Sequence, residues 1–207
     1  MNKQSLLLHN NKIIIFTTTT ILFLLFVLPV VMLIPIKMVP ANDQPGYGDM
    51  GRVSVYGLRQ FTQEFLSTDT NLMAIGTTIK NPNLKNKKII KFNLYDEKNN
   101  LIREVKLNGF NIGDGDFVKF VFEPVPDSSQ KKYNFTISSP EAGEEEILEL
   151  FLIGPTDTVL DYSYDDETKL GGIPMVTFHK PDSRWETVKL VYLNLFSKLL
   201  SLDSRRI

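Results

Sequence analysis

The sequence predicts an all-β domain, a sandwich or a barrel, carried on a membrane-spanning helix, and three observations predict it. Apolar residues alternate with polar ones twice between Phe117 and Ser139, first as Val118, Phe120 and Phe122, then as Tyr133, Phe135 and Ile137. A side-chain period of two puts each triplet on one face, the pattern of antiparallel strands covered on one side only. Residues 58–180 contain many short runs of β-branched and aromatic side chains with turn residues between them and no helical period. The alternation of strands with helices that marks a parallel α/β design is missing. Residues 13–36 carry no charge. At about 1.5 Å of rise per residue, that run is long enough to cross a hydrocarbon core of roughly 30 Å.

Taken in order, residues 1–12 read as a short cytoplasmic tail and 13–36 as a transmembrane helix. Thr17 to Thr20 are compatible with lipid, because their hydroxyls can bond back to helix carbonyls, and Pro29 and Pro35 are better tolerated there than in water, with a kink expected near Pro29. A cleavable signal would have a shorter apolar core, although Val39 and Ala41 offer a small-residue pattern, so the run is read as an anchor. Lys3 and Lys12 precede it and Lys37 follows it. With the free amino group, the balance places the N-terminus inside and the C-terminal part outside, as a single-pass protein. Residues 37–57, with Pro40, Pro45, Gly46, Gly48, Gly51 and Gly57, read as a stalk in which Tyr47 and Tyr56 are either interface anchors or ordinary linker aromatics.

The folded domain spans 58–180, with strands expected over 60–65 and 73–80, then a break at Asn81-Pro82-Asn83. Residues 88–95 place Ile90, Phe92 and Leu94 on one face; Asp96 to Asn100 has hairpin-turn chemistry, and 101–107 returns as the partner strand. Residues 108–116 are rich in Gly and Asp, and Pro124 and Pro126 set a loop between the two strands named first. After the acidic Glu144 to Glu146, residues 147–153 are apolar on both faces, as a central strand is, and 158–164 and 174–180 follow around Asp165, Asp166 and Gly171-Gly172. About nine strands are expected. Asp182 or Ser183 can then cap an amphipathic helix over 184–202. Its stripe of Val188, Val191, Tyr192, Leu195, Leu199 and Leu202 is widened by Leu190, Leu193, Phe196 and Leu200, so it packs on its own sheet, on a partner helix or in a membrane interface. Lys189 and Lys198 leave no uncharged stretch long enough for a second crossing.

The runs Ile79-Lys80-Asn81-Pro82, Leu94-Tyr95-Asp96-Glu97, Asn111 to Val118, Phe122 to Ser128 and Phe135 to Pro140 resemble a jelly-roll module of bacterial envelope proteins. That module is similar to non-catalytic carbohydrate-binding domains and is often attached to polytopic membrane glycosyltransferases of cell-surface polysaccharide assembly. The resemblance implies a jelly-roll β-sandwich over 58–180. It implies an envelope polysaccharide or a membrane glycosyltransferase as partner. No transferase activity is implied, because the chain has a single anchor in place of the multi-span enzyme, and none of the matching positions is a sugar-contact residue.

Composition narrows the chemistry. In 207 residues, 23 basic and 24 acidic side chains give a formal charge of -1, against the basic face of a nucleic-acid binder. The absence of cysteine excludes disulfides, thiolate metal sites and a cysteine nucleophile. The two histidines, His9 and His179, fall on opposite sides of the expected span, so they cannot build one catalytic or metal site. No catalytic residue is expected, and the chain reads as a non-enzyme without a cofactor. Asn111, Asp114 and Asp116 have oxygens suited to calcium, but three are too few, and a Gly-Asp-Gly-Asp stretch before a strand reads as a turn. A sugar platform would need exposed rings beside amides and carboxylates, for which Tyr95 with Asn93, or Tyr162 and Tyr164 with Asp161, Asp165 and Asp166, are the available groups. The alternative places Tyr162 and Tyr164 in the core with Leu160. Asn134-Phe135-Thr136 matches a glycosylation sequon but lies within an expected strand. The expected function is a membrane-anchored extracytoplasmic module that binds envelope glycan or supports a polysaccharide-assembly enzyme. The rival is a structural protein docking membrane partners through its helices.

Overall fold

The computed structural model describes residues 3–27, 30–31, 37–41 and 50–183, and in the C-terminal segment 185–189, 192, 193 and 196. The chain divides into two compact units, Met38–Lys180 and a second made of Met1–Lys37 with Pro181–Ile207.

Among the described residues of the larger unit, twelve strands form two antiparallel sheets. They are β1 (Val39–Pro40), β2 (Arg52–Val55), β3 (Phe61–Ser67), β4 (Leu72–Lys80), β5 (Ile89–Tyr95), β6 (Leu101–Asn108), β7 (Asp114–Val125), β8 (Lys131–Ser138), β9 (Leu148–Phe151), β10 (Val159–Tyr164), β11 (Glu167–Leu170) and β12 (Met175–His179). Sheet I runs β1-β12-β4-β9-β2, with β7 on the free side of β4; sheet II runs β11-β10-β3-β8-β5-β6. β12 and β9 follow one another along the same edge of β4, facing Leu72 to Thr77 and then Ile79 and Lys80. From β2 to β9 the chain passes back and forth between the sheets, and only the β5–β6 hairpin stays within one.

The alternation read from the sequence closes these sheets on each other. Phe61 and Phe65 on β3, Phe92 and Leu94 on β5 and Phe135 and Ile137 on β8 are all fully buried, facing Ile75 and Ile79 on β4 and Phe120 on β7. Phe92 links the layers directly, stacked on Phe120 of the opposite sheet at 4.5 Å and on Phe135 of its own at 5.4 Å. Aromatic pairs at such separations add about 0.5–1.5 kcal/mol beyond the area they bury.

Polar side chains pin the loops at each end. Asn81 donates from its amide to the carbonyls of Asn86 (2.9 Å), Gly109 (3.2 Å) and Ile112 (3.1 Å), while its own oxygen accepts from the Asn86 N–H. Asn86 in turn donates to Ser139 Oγ and the Glu146 carbonyl. Three loops are thereby joined through two buried asparagines, which explains the chain break at Asn81-Pro82. Toward the other end, Ser128 Oγ accepts from the Leu72 N–H and donates to the Asp69 carbonyl. Arg103 on β6 reaches across to the Glu123 and Pro124 carbonyls of β7, tying together the outer strands of the two sheets. Such buried donors and acceptors cost about 1–3 kcal/mol each when left unpaired.

The structure corrects several expectations. β1 and β2 lie inside the segment read as a stalk, because Val53 and Val55 alternate with Arg52 and Ser54 over a stretch too short for its period to stand out. β11 was also not expected; Asp165 and Asp166, with φ of 50° and 63°, make a two-residue turn that sends the chain back along β10. In line with a loop and not a hairpin between them, β7 and β8 sit in opposite sheets. Leu160 does not share the core with Tyr162: a bulge between Val159 and Tyr162 brings Val159 inward instead.

In the smaller unit, α1 (Lys3–Leu22) is followed by a π-helical turn at Phe23–Val27. The side chains of residues 13–27 are exposed. Among the described residues no helix is long and apolar enough to cross a membrane; residues 28–29 and 32–36 of the expected span lie outside the described residues. Tyr47 and most of the expected helix beyond Lys189 lie outside them as well. Helical residues 185–189 begin after Ser183, whose Oγ accepts from the Glu186 N–H at 3.1 Å, while the Glu186 carboxylate accepts from the Asp182 N–H at 2.8 Å. Ser183 is thus the N-cap.

Candidate functional site

Because the inner residues of β3, β5, β8 and β10 are committed to the core, their neighbours form the outer face of sheet II. Strand register lines them up. One row crosses six strands as Thr168, Ser163, Thr62, Thr136, Asn93 and Glu104. The next brings Glu64 opposite Asn134 and Asn134 opposite Tyr95. The outcome is a sheet surface of hydroxyls, amides and carboxylates with one ring among them. Ser163 and Thr168 share a hydrogen bond between their hydroxyls at 2.9 Å. Lys132 Nζ donates to Glu64 Oε1 at 2.8 Å, and that bond holds the ammonium above its ordinary pKa.

Asn93 stands on β5, one strand in from the β6 edge. Its Nδ2 donates to the Tyr95 hydroxyl at 3.3 Å, while its Oδ1 is buried and has no hydrogen-bond partner. One end of the amide therefore pairs with the ring beside it and the other is unmet. With that oxygen shielded from solvent, only a group that displaces its neighbours can reach it.

This face runs into a cavity of about 310 Å³ through Thr62 and Ser163, which line both. Arg59 and Asp165 form its charged pair at 3.6 Å, and the nearby carboxylate raises the guanidinium's pKa further. The Arg59 guanidinium also lies over the Tyr56 ring at 5.4 Å, so Tyr56 belongs to this corner of the sandwich.

The structure brings together only part of what the sequence suggested. Tyr95 and Asn93 are on the outer face; Tyr162 and Tyr164 are not, since Tyr162 stacks on Phe61 at 5.5 Å and the Tyr164 hydroxyl donates inward to the Ser54 carbonyl at 2.7 Å. Asp116 Oδ2 accepts from the Gly113 N–H at 2.6 Å in the turn that Asn111 and Asp114 share. No cluster of three or more carboxylate or imidazole groups suited to a metal occurs among the described residues. His179 Nδ1 lies 3.8 Å from Asp69 Oδ2. Asn134 of the sequon is within β8, between β3 and β5. Sequence reasoning treated Asn93 only as the neighbour of Tyr95 and did not single out Thr62, Thr136 and Ser163. The period-two pattern pointed outward for Thr62 and Thr136, Ser163 was open to either face with its tyrosine neighbours, and the juxtaposition of all three depended on register.

No protein-family model matches the chain, and no curated protein does. Among solved structures, the chain is similar to the enzymatically active domain of tailspike protein 4 of bacteriophage CBA120. The match has 17% identity and a TM-score of 0.30, and covers 61% of this chain and 17% of that one. At that level the likeness carries no argument about activity. What stands on geometry is the class: a β-rich domain of two antiparallel sheets packed as a sandwich.

Proposed function

We propose that this chain is a membrane-anchored, non-catalytic module that presents the outer face of sheet II to an envelope glycan. Its sandwich is read as a jelly-roll. The order β2-β9-β4-β7 opposite β3-β8-β5-β6 supports that reading, with the chain alternating between sheets as two interlocked Greek keys. The observation that carries the binding reading is the row of hydroxyls, amides and carboxylates that register aligns across this face, with the Tyr95 ring beside it. A pyranose offers a C–H face for a ring and hydroxyls for such groups. The anchor reading rests on the uncharged run 13–36 and on the exposure of its described side chains.

A glycan array probed with the detergent-solubilised full chain, with calcium and with chelator in parallel, tests the binding reading. Binding to one class of polysaccharide, lost in Asn93→Thr and Tyr95→Ala, is the expected result. A folded chain that binds nothing moves the balance to the second reading, a structural protein docking membrane partners, which the exposed Trp185, Leu193 and Phe196 favour. Flotation with vesicles of phosphatidylglycerol and phosphatidylethanolamine tests the anchor separately.

A further inference from the structure

In an α-helix the carbonyl of residue i receives the N–H of residue i+4. In a π-helical turn the spacing is i+5, which matches Leu25 with Val30 and leaves the position of Pro29, without an N–H, to Leu24. The helix changes just before that proline: Phe23–Val27 is π-helical, an adjustment by which helices reroute their bonds around a missing donor. The Leu25 carbonyl also has a donor from far along the chain. The Tyr192 hydroxyl donates to it over 3.5 Å, and the Tyr192 ring is itself stacked with Phe196 at 6.4 Å.

We propose that the C-terminal helical segment pairs antiparallel with this chain's own N-terminal helix, the Tyr192 hydroxyl docking on the Leu25 carbonyl. The direction follows from connectivity. β1 and β12 are antiparallel, with Val39 opposite His179, so the chain enters and leaves the sandwich at one strand pair. Counting from 39 back to 25 is fourteen residues, and from 179 on to 192 is thirteen. Two segments that leave one strand pair and meet again after matched lengths run antiparallel. This pairing goes beyond the glycan reading and does not depend on it.

The chain has no cysteine, so every disulfide formed joins introduced residues, and a cross-linked dimer is told from the intrachain bond by its mobility. In dodecylmaltoside micelles, antiparallel pairing sets Ile21 near Phe196, whereas parallel pairing would set it near Val188. Copper-phenanthroline oxidation is expected to close the Ile21→Cys, Phe196→Cys pair about tenfold faster than the Ile21→Cys, Val188→Cys pair, through the higher effective concentration. The readout is the mobility of the intrachain disulfide on a non-reducing gel. Equal rates, or a preference for the second pair, would overturn the proposal. Adding Tyr192→Phe should slow closure of the first pair about fivefold, the worth of one ordinary hydrogen bond. Circular dichroism of each variant checks that the β domain is intact. Flotation of the same variants reports on membrane anchoring, so its failure with the cross-link retained would remove the anchor and leave the pairing standing.

Discussion

The two sheets of the sandwich share one core, yet their outer faces have opposite character. On sheet I the small residues Ala74, Gly76 and Thr78 of β4 are flanked by Phe117 and Phe178, and the ring of Phe117 lies where a side chain on Gly76 would stand. Lys119 covers Phe178 with its ammonium 4.5 Å from the ring centre. Neither phenylalanine belongs to the cluster between the sheets. This face is filled by its own side chains lying flat. On sheet II the outward residues are polar, stand along register rows and leave one amide atom unmet. The difference teaches that a half-buried sheet can finish its outer face by self-packing or leave it available, and that only the second arrangement offers polar groups to a ligand.

The largest effect should come from the residue on which both faces depend. Phe92→Ala removes the ring stacked between Phe120 and Phe135 and should cost about 3–5 kcal/mol in urea unfolding. If the loss is below about 1 kcal/mol, the two sheets are not coupled through this ring. Asn81→Ala leaves three carbonyls without their donor and should cost about 3 kcal/mol, read the same way, while loosening loops beneath both faces. On sheet I, Gly76→Ala must push the half-exposed Phe117 ring aside and should cost about 1 kcal/mol with glycan binding unchanged. Asn93→Thr on sheet II should do the reverse: stability within about 0.5 kcal/mol of the parent, since an unmet acceptor is removed and a β-branched residue suits the strand, but binding lost. A shared outcome for these two substitutions would erase the contrast between the faces.

The smallest effect depends on pH. Asp96, in the turn of the β5–β6 hairpin, accepts from the Asn100 side chain and backbone and from the Lys98 N–H, and these bonds hold its carboxyl below the ordinary aspartate range. A depressed folded pKa means that the contribution is present above the unfolded value, about 3.9, and is lost as pH falls through the folded one. Asp96→Asn should therefore unfold at lower urea than the parent at pH 7, with the difference shrinking as the pH is brought below 3. A difference that stays constant with pH would show that the charge contributes nothing.

Much of the sandwich was legible because strand identity is local. The triplets Ile90-Phe92-Leu94, Val118-Phe120-Phe122 and Tyr133-Phe135-Ile137 announce their buried faces by period alone, and all nine of these residues are buried. Short β2 carries too few repeats to be read, and β11 is exposed along its length, so neither had a hydrophobic period to show. Tyr162 and Tyr164 were open to either face, because the bulge after Val159 that shifts the inward position by one residue has no mark in the sequence.

The sequence by itself determined the number of cysteines, the balance of charge, the uncharged run at 13–36 and the inward side of the long strands, since composition and short-range period require no partner. Tertiary structure alone decided that β7 and β8 lie in different sheets, and that Thr62, Thr136, Asn93 and Glu104 form one row. It alone decided that Asn81 answers three carbonyls from two loops. These facts depend on pairings between residues far apart in the chain, and a period of two tells a residue which side it faces but not which strand lies beside it.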